Sequence, residues 1–292
     1  MSVPALFAIC TAIWGSTWLA ITWQLGVVAP EVSVVYRFAL AGVLLGAWCA
    51  ATGRSLRFPA GEHAKLAAWG AMNFGLNYVA VYLAEGHVSS GLVAVVFSTI
   101  VFMSAAGMRV FFSAPVPARM LASATLGVAG VALLFLPELR SAQAGGSAAF
   151  GIACALVATM LATGGNLVAV RNHRAGLSVL PATAWGMFYG AAAAAIVALA
   201  QGSAWSFDAR LPYVLSLAYL AVFGSVVAFG AYLTLLARVG AGPASYVGVS
   251  TPVVAMALST LFEGYRWTWP AVLGVALAAA GNLLALARPR PG

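Results

Sequence analysis

The feature that most constrains this chain is a series of apolar runs, each about twenty residues long and separated by short loops. About twenty apolar residues in a helix cross the hydrocarbon core of a bilayer. The runs fall near 4–24, 32–51, 65–84, 90–111, 119–136, 148–170, 179–200, 212–236, 243–262 and 268–287. Turn chemistry or charge marks the breaks, as in Ala29-Pro30-Glu31, Gly53-Arg54, Pro115-Val116-Pro117, Pro137-Glu138, Ala144-Gly145-Gly146 and Ala241-Gly242-Pro243. The runs are twice too long for barrel strands and do not alternate apolar with polar. The expected fold class is an all-α integral membrane protein with ten transmembrane helices. No loop is long enough for a soluble domain. Residues 4–24 lack a basic lead-in and a small-x-small site after them, so they are expected to stay as the first helix.

Composition agrees. Of the 292 residues, 63% are apolar and 7% charged. Soluble domains average roughly 25% charged, so a soluble enzyme, a disordered chain and a nucleic-acid binder are excluded. Cys10, Cys49 and Cys154 all lie in apolar runs, spaced neither as a disulfide framework nor as a metal site. No metal and no cofactor is expected.

The net charge of +8 resolves into topology. One side of the membrane collects Arg54, Arg57, Lys65, Arg109, Arg119, Arg171, Arg174, Arg238, Arg288 and Arg290, and the other holds Arg140, Arg210 and Arg266. By the positive-inside rule the first side is cytoplasmic, and so are both termini. The acids run the other way: Glu62 is inside, while Glu31, Glu85, Glu138, Asp208 and Glu263 are outside. The expected location is a bacterial-type inner membrane.

A shift of about 150 residues lays the chain on itself. Ser98-Thr99-Ile100 meets Ser250-Thr251-Pro252, Gly42-x3-Gly46 meets Gly186-x3-Gly190, and the Gly130-Val-Ala-Leu-Leu end of span 5 meets Gly281-Asn-Leu-Leu-Ala in span 10. Five helices per half is odd, so the second half enters the membrane from the opposite face. The halves, 1–140 and 145–288, therefore read as inverted repeats, an arrangement of transporters with a midplane site.

Trp14-Gly15 in span 1, Tyr36-Arg37-Phe38 in span 2 and the Ser-Thr pairs of spans 4 and 9 complete a pattern. With ten spans in two five-helix repeats, the chain resembles the EamA family of the drug/metabolite transporter superfamily over essentially its whole length. Each half is then one EamA-type repeat. Within the family it is most similar to the YddG-type bacterial exporters of aromatic amino acids. The resemblance implies export of amino acids, aromatic and other neutral ones, by alternating access. The small multidrug-resistance relatives carry a membrane-embedded Glu in helix 1, and none stands there in this sequence.

Polar and aromatic residues inside the spans are the candidate substrate site. Most tryptophans sort to the interfaces: Trp23, Trp205, Trp267 and Trp269 outside, Trp48, Trp69 and Trp185 inside. Trp14 and Trp18 remain near the middle of span 1 and share a face with Thr11 and Thr22, as helix packing or as a cavity wall. In span 3, Asn73 and Asn77 share a face, with Phe74, Tyr78 and Tyr82 on the adjacent stripe. An amide in hydrocarbon needs a partner, so these two face other helices or water. Two amides beside two tyrosines favour a wet, aromatic-lined cavity over a plain interhelical bond. Span 8 answers with Ser225, Phe229 and Tyr232, and span 6 adds Thr159, Thr163 and Asn166. Ser98, Thr99, Ser250 and Thr251 lie at mid-depth and either bond their own helix or touch ligand. Arg37 is the one base well inside a span; it either snorkels to the headgroups or stands as a fixed charge in a vestibule.

No Asp or Glu lies at mid-depth, which points to facilitated transport or to coupling through a rim group. His63, His87 and His173 fall in loops, where solvation is expected. A membrane enzyme would need a histidine cluster, a G-x-S-x-G elbow or an aspartate pair, and none is in the sequence; no catalytic residue is expected. A channel would show a filter sequence or rings of charge. The alternative function is export of hydrophobic or cationic drugs, since aromatic cavities also bind cations. The expected partners are a small-molecule substrate and membrane lipids, with no nucleic acid, and a monomer suffices.

Overall fold

A backbone in lipid must satisfy its own hydrogen bonds, which apolar runs of this length do as helices. The computed structural model describes residues 1–113, 115, 118–140, 147–239, 244 and 246–286. Outside them lie Ala144-Gly145-Gly146, Gly242-Pro243 with Ala241, Val116-Pro117, Arg288 and Arg290, together with the side chains of Pro137, Glu138, Arg140 and His173. The described residues form helices and contain no strand.

In chain order these are α1 (Val3–Thr22), α2 (Pro30–Ala51), α3 (60–85), α4 (Ser90–Phe112), α5 (Ala118–Arg140), α6 (Ser147–Arg174), α7 (Val179–Gln201), α8 (211–239), α9 (Tyr246–Phe262) and α10 (Trp269–Leu286). Among them α1, α2, α4 and α7, residues Ser147–Asn172 of α6 and Leu211–Tyr232 of α8 are long and apolar enough to cross a membrane. Arg119–Leu134, Tyr246–Phe262 and Trp269–Ala285 are apolar but shorter.

Local chemistry sets the ends. Pro30 opens α2, where a missing N–H costs nothing. Gly202 closes α7 in the left-handed region, at φ 66°. Two helices are irregular in a way the apolar pattern does not encode. Residues Ala71–Leu76 of α3 and Leu220–Val227 of α8 are wound as π-helix. The second lies about 150 residues after the first, the spacing at which the two halves of the sequence match.

The chain condenses into two compact units. One holds Met1–Leu19, His87–Leu156 and Ala228–Gly292; the other holds Ala20–Gly86 and Val157–Val227. Each therefore draws on both halves of the sequence. In the first unit α5 lies along α10. Gly130 and Gly274 face each other there: a Cβ on either would come within 2.6 Å of the other's carbonyl oxygen. Leu6, Cys10, Leu235 and Val247 form an apolar cluster around the lower part of α1, with Trp14 and Tyr232 packed on it.

In the second unit α7 lies along α2 and α3. Glycines let α3 and α7 touch backbone to backbone. A Cβ on Gly70 would land on the Gly186 carbonyl, and one on Gly75 would lie 2.6 Å from the Gly190 carbonyl. The Gly186/Gly190 pair thus serves α3. The atoms nearest a Cβ on Gly42 belong to the Phe188 ring, and Gly46 has nothing within 4 Å. Trp69, expected in the interfacial belt, is 7% exposed and packs edge-on against Phe74.

Candidate substrate site

The candidate residues divide between the two units. Trp14, Trp18, Ser98, Thr99, Tyr232 and Ser250 belong to the first; Arg37, Asn73, Asn77, Tyr78, Tyr82 and Asn166 belong to the second.

In the first unit the aromatic residues of α1 make ring contacts. Trp14 lies 5.6 Å from Phe229 and 5.1 Å from Tyr232, centroid to centroid. Trp18 lies 5.3 Å from Phe97. Both indoles remain half-buried. Helix α4 breaks at Ser98-Thr99, where two turn residues separate its halves. The Ser98 hydroxyl donates to the Val95 carbonyl and the Thr99 hydroxyl to the Val96 carbonyl, both at 2.7 Å. In α9, Ser250 and Thr251 donate to the carbonyls of Tyr246 and Val247, just before Pro252. The four hydroxyls thus bond their own helices, as such groups usually do. Asn282 of α10 was not expected at this site. Its Nδ2 donates to Ser98 Oγ at 3.0 Å, and its buried Oδ1 has no hydrogen-bond partner. An amide within an apolar span is the signal that marks it.

In the second unit the Tyr36-Arg37-Phe38 run of α2 spreads over three neighbours. Tyr36 donates to the Ser206 carbonyl at 3.1 Å. Phe38 packs on Phe74 and Tyr78. Arg37 does not snorkel: it is 1% exposed, and its guanidinium carbon sits 4.4 Å above the Tyr78 ring, a cation–π stack. Burial of a guanidinium is costly unless its donors are used, yet Nε and Nη1 have no hydrogen-bond partner.

Helix α3 supplies the rest. Asn77 Nδ2 donates to the Asn73 carbonyl at 3.2 Å, bridging out of the π-wound segment, and Asn77 Oδ1 is buried without a partner. Asn73 packs against Gly165, where a Cβ would come within 2.8 Å of its own Cβ. Asn166, next in the chain, is exposed. Tyr82 is fully buried and donates to Gln24 Oε1 at 2.6 Å. Gln24 is another residue the sequence pattern passed over, because it closes the first apolar run where a polar residue looks ordinary.

Three carboxylates and two histidines take structural roles. Glu263 accepts from the Ser90 backbone N–H at 3.1 Å and from Ser90 Oγ at 2.5 Å, which caps α4. Glu31 accepts from Ser203 Oγ. Arg210 grips Asp208 through Nε and Nη2, and these bonds hold the Asp208 carboxyl below its usual range. Two histidines are not simply solvated. His63 Nδ1 lies 2.8 Å from the Tyr189 hydroxyl, and His87 Nδ1 lies 2.7 Å from Ser147 Oγ. Among the described residues, no group of three or more His, Cys, Asp or Glu could hold a metal ion.

Known proteins match this chain along its length. The EamA-like transporter family matches twice, over residues 2–136 and 149–287. Protein PecM of Dickeya dadantii (strain 3937) is 27% identical over 88% of this chain and 82% of its own length. The uncharacterized inner membrane transporter YedA of Escherichia coli (strain K12) is 29% identical over 98% of this chain and 92% of its own. Protein PagO of Salmonella typhimurium is 23% identical over 98% and 93%. A protein solved by crystallography shares the fold at a TM-score of 0.69 and 16% identity, covering 97% of this chain and 96% of its own. With a family match on both sides of the sequence and helices suited to a membrane, the chain belongs to the EamA-like transporter family of the drug/metabolite transporter superfamily.

Proposed function

We propose that this protein exports amino acids, aromatic and other neutral ones, across the inner membrane by alternating access and down their gradient. Its halves, 1–140 and 145–288, act as inverted five-helix repeats, both termini face the cytoplasm, and one chain is sufficient. On this reading it is an exporter of the YddG type.

The observation that carries the reading is the Asn77–Tyr78 turn of α3. Asn77 presents a buried acceptor with no partner, and Tyr78 presents a half-buried ring directly beside it in the chain. An acceptor suits an ammonium group, and a ring suits an apolar side chain. The turn follows a π-wound segment, a feature frequent at functional sites. Of the rim acids, Glu31, Glu263 and Asp208 are engaged in hydrogen bonds, which favours facilitated transport over coupling through those three. A hydrophobic cation, the other substrate class such a cavity accepts, would meet the buried Arg37 charge.

Counterflow in proteoliposomes tests this. Vesicles loaded with unlabelled phenylalanine are expected to take up labelled phenylalanine with no ion gradient. Asn77→Ala and Tyr78→Ala are each expected to lower that uptake by roughly tenfold, the loss of about one good hydrogen bond or ring contact. Uptake of a hydrophobic cation under a proton gradient, with no amino-acid counterflow, would overturn the proposal.

A further inference from the structure

Helices α9 and α10 of the first unit leave a groove of about 450 Å3 between them, within the roughly 300–1,000 Å3 of small-ligand sites. Val253, Ala257 and Leu261 recur every four residues along α9 and form one wall, and Val275 of α10 belongs to the other. Val253, Ala257 and Leu261 are all exposed. Exposed apolar side chains are ordinary on a helix that meets lipid; a concave run of them is not. The polar atoms of the lining are spent on one another. The Thr260 hydroxyl donates to the Met256 carbonyl at 2.7 Å and accepts from Trp267 Nε1 at 2.9 Å. With no side-chain donor left open, the groove suits a hydrocarbon chain and not a polar solute.

The 263–268 loop, at the Trp267 end of the groove, has the opposite chemistry. The backbone N–H groups of Glu263 and Tyr265 both donate to the Ser259 carbonyl, and Gly264 turns the chain at φ 68°. Tyr265 stands edge-on to Trp267 at 5.6 Å. Arg266, between those two rings in the chain, is exposed and takes part in no ion pair among the described residues. Glu263, the nearest acid in sequence, accepts from the backbone N–H and the hydroxyl of Ser90 in α4. Helix α10 begins at Trp269, so the positive end of its dipole meets the same loop. A tryptophan at the end of a span lies at headgroup level. A base and a helix N-terminus at that level, above an apolar groove, repeat the order of groups in a phospholipid.

We propose that this groove binds one anionic phospholipid, an acyl chain lying along Val253, Ala257 and Leu261 and the phosphate meeting Arg266. A guanidinium suits a phosphate, which it can grip with two parallel bonds. Net negative charge is selected because a zwitterionic headgroup brings its own cation to compete with Arg266. The bound lipid comes from whichever leaflet holds the 263–268 loop. The proposal goes beyond the transport reading above and does not rest on it.

Native mass spectrometry of the purified full chain tests this. The protein is stripped of lipid in detergent and titrated with phosphatidylglycerol or phosphatidylcholine carrying the same acyl chains, so the two probes differ only in the headgroup. The native protein is expected to hold phosphatidylglycerol about fivefold more tightly, the worth of one base beside an anionic headgroup. Arg266→Gln is expected to bring the two lipids level. Ala257→Trp, which fills the groove, is expected to weaken binding of the first lipid of either kind. Ile196→Trp, on an α7 position that is 67% exposed, is expected to change neither. Equal binding of the two lipids by the native protein would overturn the proposal, and so would a preference for phosphatidylglycerol that survives Arg266→Gln. A pair of chains that forms without lipid and is lost in Ala257→Trp would also overturn it, since the groove would then hold a second copy. If Ala257→Trp fails to fold, Arg266→Gln, a change to one exposed loop side chain, decides alone.

Discussion

Single side chains divide by whether their polar groups are spent. Ser98, Thr99, Ser250 and Thr251 look like ligand contacts by depth, yet each donates to a carbonyl three or four residues back. Arg37 looks free to reach the headgroups, yet the Tyr78 ring holds it. The difference is reach: a short hydroxyl finds its partner within its own helix turn, whereas a long guanidinium meets whatever the next helix presents. Asp208 and Arg210 show a third case, a pair two residues apart that any loop brings together. Because those bonds lower the Asp208 pKa, they stabilise the fold above the unfolded carboxyl pKa, near about 3.9. That contribution is lost as pH falls through the folded value. Melting temperature measured from pH 7 to pH 3 is therefore expected to drop more steeply below about pH 4 in the native protein than in Asp208→Asn.

At the scale of helices, position and extent follow the apolar runs, but the winding and the contacts do not. The expected span 65–84 sits inside α3, which runs on at its ends, 60 and 85, over polar residues such as Glu62 and Glu85. The π-wound segments of α3 and α8 leave no mark in the apolar pattern, because one extra residue per turn changes which side chains share a face without changing composition. Glycine is similar. Gly42-x3-Gly46 and Gly186-x3-Gly190 are the same pattern, but the second pair meets another backbone, whereas Gly42 lies nearest the Phe188 ring and Gly46 faces open space. Gly70→Ala is expected to destabilise the α3/α7 contact by about 1–3 kcal/mol, since the new methyl must displace a carbonyl. Gly46→Ala has open space and a helical backbone, and is expected to be neutral or to stabilise by up to ~1 kcal/mol. Melting temperatures of the two variants in nanodiscs compare them directly. Equal losses at both sites would contradict the packing.

For the whole molecule, the two halves expected as repeats are not the bodies that condense. Each compact unit takes helices from both halves, because neighbours in a bundle are chosen by complementary faces and not by chain order. Orientation rests on the loop bases alone and has a direct check. Ser55→Cys is expected to be shielded from a membrane-impermeant thiol reagent added to intact cells, while Ala204→Cys is expected to be labelled. Native Cys10 and Cys49 are buried, and the half-buried Cys154 is replaced by Ala in both variants to remove its background. The reverse pattern would invert the topology.

What residue order dictates here is everything that depends on the solvent: where helices run, that lipid surrounds them, and which loops carry the bases. Those properties follow from runs of twenty residues and need no partner. The short EamA-type motifs carried the family for the same reason, being local. Arg37 stacking on Tyr78, Gln24 bonding Tyr82, Asn282 reaching Ser98 and Gly70 touching Gly186 join residues far apart in the chain. Each is set by how two helices cross and rotate, and a shift of one residue in register would turn the same side chains elsewhere. Arg37, Tyr78, Tyr82 and Ser98 could be named from the chain, while Gln24, Asn282 and the pairings themselves came only from the packed molecule.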